Sequence, residues 1–307
     1  MAGASKNPVI MDVDTGVDDA VAIALATRLP DLDLIGVTTV AGNVDVEKTT
    51  ENSLRVLAAL DRTSIPVYRG MSRPLARVYH GASEFHGASG LGDAEFLPSP
   101  VSVQSETAPE YIVRTVRERP GEITLIPVAP LTNIAVALAL EPELPSLVKR
   151  VVIMGGAFLS PGNASPYAEY NIWADPEAAA IVANSMLPIT FIGLDVTHKA
   201  PLRKAAWSTL AERHGVEAKM VYDLCRRTFV GRSKNEFPLH DPLAVAVTAF
   251  PDLVTTEAWG VTVETGIGDQ MGRTCLVKQP DAPQHHVAVA VQTDEFLARF
   301  SQALSLG

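Results

Sequence analysis

Short apolar runs, almost free of charge, alternate with helix-length stretches along most of this 307-residue chain. The runs Val9–Val13, Leu34–Val40, Ile65–Tyr68, Ile123–Val128, Val151–Met154 and Ile189–Leu194 are rich in Val and Ile. A strand with one wet face alternates apolar with polar residues, whereas a strand covered on both faces reads as these do. Between them, Asp18–Arg28, Val46–Leu60, Pro109–Arg119, Thr132–Leu140 and Pro176–Asn184 read as helices. The alternation predicts an α/β fold with an open, mostly parallel central sheet and helices on both faces, Rossmann-like in plan. Further on, Leu202–Phe250 reads as additional helices with a polar break at Lys234–Leu239. Val254–Glu264, Thr274–Lys278 and Val287–Val291 read as later strands, with a terminal helix from Asp294. Gly70–Pro100 and Gly155–Trp173 read as long loops, which in compact folds usually bind something.

At about 150 residues per domain the length would allow two domains. No linker separates two parts, so one large domain over residues 1–307 is expected. The chain has 25 basic and 35 acidic side chains, a formal net charge of -10. That balance speaks against a nucleic-acid partner, which needs a basic surface to displace counterions. No apolar run approaches the roughly 18 residues of a membrane span, so no membrane partner is expected. Cys225 and Cys275 are too few for a disulfide framework, and the N-terminal stretch lacks an apolar signal region. A cytoplasmic location is the corresponding expectation.

The segment from Val9 to Ala20 carries the most chemistry. An apolar strand runs into a turn at Gly16, and a helix follows. Ligands of open α/β sheets bind beyond the carboxyl ends of the strands. Four carboxylates, Asp12, Asp14, Asp18 and Asp19, gather there within eight residues. Helix capping accounts for one or two acids at a helix start, not for four. Two unit charges 4 Å apart repel by about 4 kcal/mol at an effective dielectric near 20. A bound cation removes that cost, and oxygen donors with no Cys or His close by suit Ca²⁺ or Mg²⁺. The run Asp12-Val13-Asp14-Thr15 also invites comparison with dehalogenase-type phosphatases, but Gly16 and the pair Asp18-Asp19 depart from their pattern.

More motifs follow in order: Gly42-Asn43, His86-Gly87, Pro130-Leu131-Thr132-Asn133, Met154-Gly155-Gly156, Gly162-Asn163 through Asn171, Leu194-Asp195-Val196-Thr197-His198, and His240-Asp241-Pro242. Together with the acidic opening they resemble the inosine-uridine-preferring nucleoside hydrolases, from about residue 8 to residue 250. The resemblance implies hydrolysis of the N-glycosidic bond of ribonucleosides with a tightly held Ca²⁺. It implies that Asp14 contacts the metal and takes a proton from the attacking water. Asp19 and Asp241 become carboxylate ligands, and Val128 gives a backbone carbonyl. Asp18, Asn43, Asn163, Glu169 and Asn171 hold the ribose hydroxyls and the 5′ end. His86, Met154 and His240 belong to the substrate pocket, with His240 helping the base depart and Asp12 supporting from behind. The resemblance also implies a homodimer or homotetramer acting on a small ribonucleoside.

The chemistry fits these residue types. Ribosyl transfer to water passes through an oxocarbenium-like state. A cation and a carboxylate activate the water, and a histidine near neutral pH can protonate the leaving base. Phe229, Arg226 and Arg232 fall where relatives place base-contacting residues, so they are candidates for the pocket wall. His198, His285 and His286 are expected to be structural or exposed, and Trp173 and Trp259 to belong to the core. Thr15 stands where many relatives have Pro. Two other readings stay open from the sequence: a calcium-dependent nucleoside- or ribose-binding protein without turnover, and the phosphatase.

Overall fold

The computed structural model describes residues 6–278 and 283–306. Residues 1–5, part of the N-terminal stretch read above, lie outside it. Eleven strands are described: β1 (Asn7–Val13), β2 (Leu32–Thr39), β3 (Val67–Arg69), β4 (Thr124–Pro127), β5 (Arg150–Met154), β6 (Ile189–Ile192), β7 (Pro201–Arg203), β8 (Glu236–Pro238), β9 (Val254–Val263), β10 (Thr274–Val277) and β11 (His285–Val291). Nine of them form one sheet in the order β10-β9-β11-β6-β5-β4-β1-β2-β3. From β3 to β11 every pairing is parallel; only β9 runs antiparallel to its neighbours β11 and β10.

The period of two sorts the strand side chains onto two faces. Val9, Met11 and Val13 of β1 join one apolar cluster, and Ile10 joins the other. Val152 and Met154 of β5 face one way, Val151 and Ile153 the other. Helices cover both faces: Val17–Arg28 and His240–Ala249 pack in the first cluster, Ala108–Glu118 and Thr132–Leu140 in the second. The uncharged runs are uncharged because neither face meets water.

The structure moves several boundaries and adds elements. The run Ile65–Tyr68 forms a strand only over Val67–Arg69. Pro66 has no N–H to give a ladder, and its carbonyl accepts from Val37 N–H instead. The polar break at Lys234–Leu239 contains β8, which pairs antiparallel with β7 as a separate ribbon. The two long loops hold short helices, Ser83–His86 and Tyr170–Ala174. The helix Val216–Arg226 runs directly into a π-helical turn, Arg227–Gly231.

The strand order reverses beside β1. The chain winds outward through β2 and β3 on one side and through β4, β5 and β6 on the other. A crevice opens at such a switch point, outside the carboxyl ends of the strands. Asp12 is in register with Thr38 of β2 and Pro127 of β4, so the acidic end of β1 lies at that crevice.

Candidate active site

A cavity of about 420 Å³ opens at this crevice, within the usual size of small-molecule sites. Parts of the chain far apart in sequence build its walls. Asp18 and Asn43 come from the segments after β1 and β2, and His86 from the first long loop. Val128 and Met154 stand at the ends of β4 and β5. Asn163, Glu169 and Asn171 come from the second long loop, and His240 and Asp241 from the start of a late helix. Of the residues expected to touch metal or substrate, only Asp14 and Asp19 do not line the space. They are buried beneath it and joined to it through Asn43.

The floor is built by backbone. Asp19 Oδ1 accepts from Asp14 N–H at 3.1 Å, and Asp19 Oδ2 accepts from Gly16 N–H at 2.9 Å and from Asn43 Nδ2 at 3.1 Å. Asp14 Oδ2 accepts from Asn43 N–H at 2.6 Å. Two glycines permit this crowding. A Cβ on Gly42 would collide with the Asp14 carboxylate, and one on Gly16 with the His86 ring. Asp12 sits just behind, its Oδ1 accepting from Thr38 Oγ1 at 2.6 Å and from Asn133 Nδ2 at 2.7 Å.

One oxygen each from Asp18, Asp19 and Asp241 lies within 4.8 Å of the other two. Asp18, expected at the ribose, lines the cavity and also stands in this triplet beside two expected metal ligands. Burial raises the pKa of every acid here, because desolvation disfavours the charged form. Asp18 is pushed up to about 7 and Asp19 to about 6, Asp18 also by repulsion from Asp19. Asp14 and Asp241 are raised well above the carboxylate range by burial and by neighbouring carboxylates. Asp14 Oδ1 and Asp18 Oδ1 are buried and have no hydrogen-bond partner among the described residues. Oxygen-only donors, partnerless buried oxygens and mutual repulsion together fit a hard divalent cation.

Glu169 caps the helix Tyr170–Ala174. Its carboxylate accepts from Asn171 N–H at 2.9 Å and from Gly156 and Ile172 N–H at 3.2 Å each. Burial still pushes it up to about 7. Asn171 Nδ2 donates to the carbonyls of Val128 at 3.2 Å and Met154 at 3.1 Å, which ties the ends of β4 and β5 to the loop. Asn163 Oδ1 accepts from Tyr170 N–H at 2.8 Å.

Two histidines complete the walls. His86 Nδ1 accepts from Val17 N–H at 3.1 Å, so the neutral ring carries its proton on Nε2. His240 Nδ1 shares a hydrogen bond with Thr197 Oγ1 at 2.7 Å. Burial pushes both pKa values down to about 3. Burial, with Arg232 near His86 and His198 near His240, thus works against a standing positive charge on either ring.

The wall also holds residues that the sequence did not assign. His198, expected to be structural or exposed, is exposed yet lines the cavity, its ring 5.5 Å from that of His240. Phe85, Tyr170 and Lys234 line it as well. Of the three candidates before His240, Arg232 is in the wall. Phe229 is not: it is fully buried and stacks on Trp207 at 4.9 Å. Arg226 is exposed and does not line the cavity. Trp173 is half-buried beside Tyr170, and His285 is buried with Nε2 on the carbonyl of Ala183.

Fold and site together define an α/β protein that takes a small polar ligand at its sheet's switch point, over a buried acidic floor. Comparison with known proteins narrows this. The sequence model of the inosine-uridine preferring nucleoside hydrolases matches residues 9–298. The pyrimidine-specific ribonucleoside hydrolase RihB of Shigella sonnei is 37% identical over 273 residues, covering 88% of this chain and 87% of that protein. Among solved structures, a plant nucleoside hydrolase, PpNRh1, superposes with a TM-score of 0.91 at 31% identity, covering 98% of this chain and 99% of its own. A purine-preferring ribonucleoside hydrolase from Gardnerella vaginalis gives 0.91 at 33%, covering 97% and 98%. The chain belongs to the inosine-uridine preferring nucleoside hydrolase family and is accordingly a ribonucleoside hydrolase.

Proposed function

We propose that this chain hydrolyses ribonucleosides to free base and ribose in a calcium-dependent reaction, with Asp14 as the base that deprotonates water. The observation that carries the reading is the pairing of a partnerless Asp14 Oδ1 with the Asp18, Asp19 and Asp241 triplet in one buried floor. The likeness to nucleoside hydrolases supports it.

Asp19 and Asp241 would hold Ca²⁺, with Asp14 and the Val128 carbonyl, and Asp18 stands close enough to join them. Bound there, Ca²⁺ supplies charge that keeps these acids ionised and makes a nearby water more acidic. Asp14 Oδ2 is fixed by Asn43 N–H, and Oδ1 is free to receive the water's proton. Such proton transfer contributes typically about 10²–10⁴-fold. Asn163, Glu169 and Asn171 orient the sugar. Glu169 accepts a hydroxyl proton, and the Asn amides offer both donors and acceptors. His240 and His86 flank the base as neutral rings and assist by N–H donation. Met154 also lines the cavity.

The same reading covers setting and assembly. We place the protein in the cytoplasm, which its two unpaired cysteines suit, and expect a homodimer or homotetramer, which light scattering on the purified protein checks. Among the described residues no helix is long and apolar enough to cross a membrane.

The test is a calcium titration of metal-stripped protein in the presence of saturating nucleoside. Ribose release should rise with calcium and saturate at one equivalent per chain. Nucleoside binding by calorimetry without any ribose release would instead make this a binding protein.

A further inference from the structure

Around the cavity the charges are sorted. Asp14, Asp18, Asp19, Glu169 and Asp241 lie at or under its floor, whereas two cations, Arg232 and Lys234, line it at the other side. Contacts order the wall between them. Asp18 Oδ1 is 4.0 Å from His86 Nδ1, the His86 ring is 5.0 Å from that of Phe85, and the Arg232 guanidinium carbon sits 4.7 Å over the Phe85 ring. The guanidinium lies over the Phe85 ring, and among the described residues no carboxylate pairs with it.

The backbone beneath Arg232 is unusual. The π-helical turn Arg227–Gly231 ends immediately before it, closed by Arg232 N–H on the carbonyl of Arg227 at 2.8 Å. The next residue, Ser233, takes φ 52°, a left-handed conformation that a non-glycine residue seldom adopts. Inserted π turns and left-handed residues concentrate at functional sites. Here they turn the chain so that Arg232 and Lys234 reach the cavity.

Resting on the hydrolase reading above, we propose that Arg232, seated on Phe85, stabilises the negative charge that develops on the departing base, and so sets the preference among leaving bases. When the C1′–N bond breaks, its electron pair goes to the base nitrogen and C1′ becomes oxocarbenium-like. The water oxygen bonds to C1′ and its proton passes to Asp14; the base anion then takes a proton from solvent at the cavity mouth. The sorted charges match this separation, with acids beside the cationic sugar and cations beside the anionic base. A guanidinium donates well to carbonyl oxygens. Uracil and hypoxanthine spread the departing charge onto such oxygens, while adenine has none. The discriminating feature is carbonyl oxygen, not ring size.

The test compares calcium-loaded wild type, Arg232→Gln and Arg232→Lys on uridine, inosine, cytidine, adenosine and nitrophenyl riboside. Nitrophenolate leaves without help, so that substrate reports the sugar and water side alone. Arg232→Gln should lose about 10- to 100-fold in kcat on uridine and inosine. That loss should exceed its loss on nitrophenyl riboside and adenosine at least tenfold, KM should change less than kcat, and Arg232→Lys should fall between. A uniform loss on all five substrates, or none on any, overturns the proposal while leaving the hydrolase reading in place. So does a wild-type preference for nucleoside 5′-monophosphates that Arg232→Gln abolishes, which would give the cations to phosphate. Failure of wild type to cleave any of these ribosides, nitrophenyl riboside included, would remove the hydrolase reading itself.

Discussion

At Asp14 the two carboxylate oxygens have different company, and the proposed chemistry follows from that difference. Oδ2 is held by Asn43 N–H, while Oδ1 has no partner among the described residues. Asp14→Asn keeps the shape and removes the base. Its activity should fall about 10²–10⁴-fold, while Tm holds or rises because one buried repulsive charge is gone. Equal loss of activity and Tm would make Asp14 structural. Asn133 makes the opposite case. Its Nδ2 donates to Asp12 Oδ1 at 2.7 Å and to the Thr39 carbonyl at 3.0 Å, and its Oδ1 accepts from Met71 N–H at 2.9 Å. Asn133→Ala leaves buried groups unpaired and should cost about 3 kcal/mol in urea unfolding; a cost under about 1 kcal/mol would show the network is not needed. The acids, the Asn and Glu residues and His240 were legible in the sequence because their motifs are contiguous. Asn133 stood in a quoted motif without a role, since its partners are 121 and 94 residues away. Phe85 and His198 reach the cavity only through packing between distant segments; of the wall candidates before His240, Arg232 lines it, whereas Phe229 was misplaced because a π turn shifts the faces of the helix there.

At the scale of elements, the site depends on how two long loops are fastened. Tyr170 Oη donates to the carbonyls of Gly42 at 2.8 Å and His80 at 3.0 Å, so the second loop clasps the first. Asp195 holds the base of the second loop, accepting from the N–H groups of Phe158, Leu159 and Ser160 at 3.0, 2.6 and 3.0 Å. Tyr170→Phe removes about 1 kcal/mol of tie, so amide exchange over 79–86 should quicken roughly fivefold. Inhibitor binding should slow exchange across 70–100, and no change there would remove the loop from substrate binding. The strands were readable because burial on both faces writes an uncharged run. The ribbon of β7 and β8 was not, because each of its strands has only three residues, too few for a period to show.

For the whole molecule, one nine-stranded sheet carries the floor of the cavity, the segment that includes β8 adds wall residues, and we take the chain as one domain. Six of its 35 acids, Asp12, Asp14, Asp18, Asp19, Glu169 and Asp241, gather at or under the cavity where the sheet winds both ways. Asp18 and Asp19, raised to about 7 and about 6 from 3.8, bind protons in the folded state that the unfolded chain releases. Their contribution therefore falls as pH rises from about 4 to about 7 in metal-free protein. His86 and His240, lowered to about 3, act with the opposite sign below pH 6.5, so the metal-free profile mixes both. The calcium-induced rise in Tm isolates the acids, because calcium must displace their protons. It should grow from pH 5 to pH 8 and reach roughly 5–10 °C at saturating calcium; a flat or falling profile would contradict a site made of these carboxylates. The central claim is that this floor and cavity turn over ribonucleosides. Its most direct measurement is ribose release from a panel of purine and pyrimidine ribonucleosides by the folded protein, with calcium, after chelation, and after calcium is returned. The account predicts release from at least one of them, abolished by the chelator and restored by calcium. No release from any ribonucleoside by folded, calcium-loaded protein would contradict it.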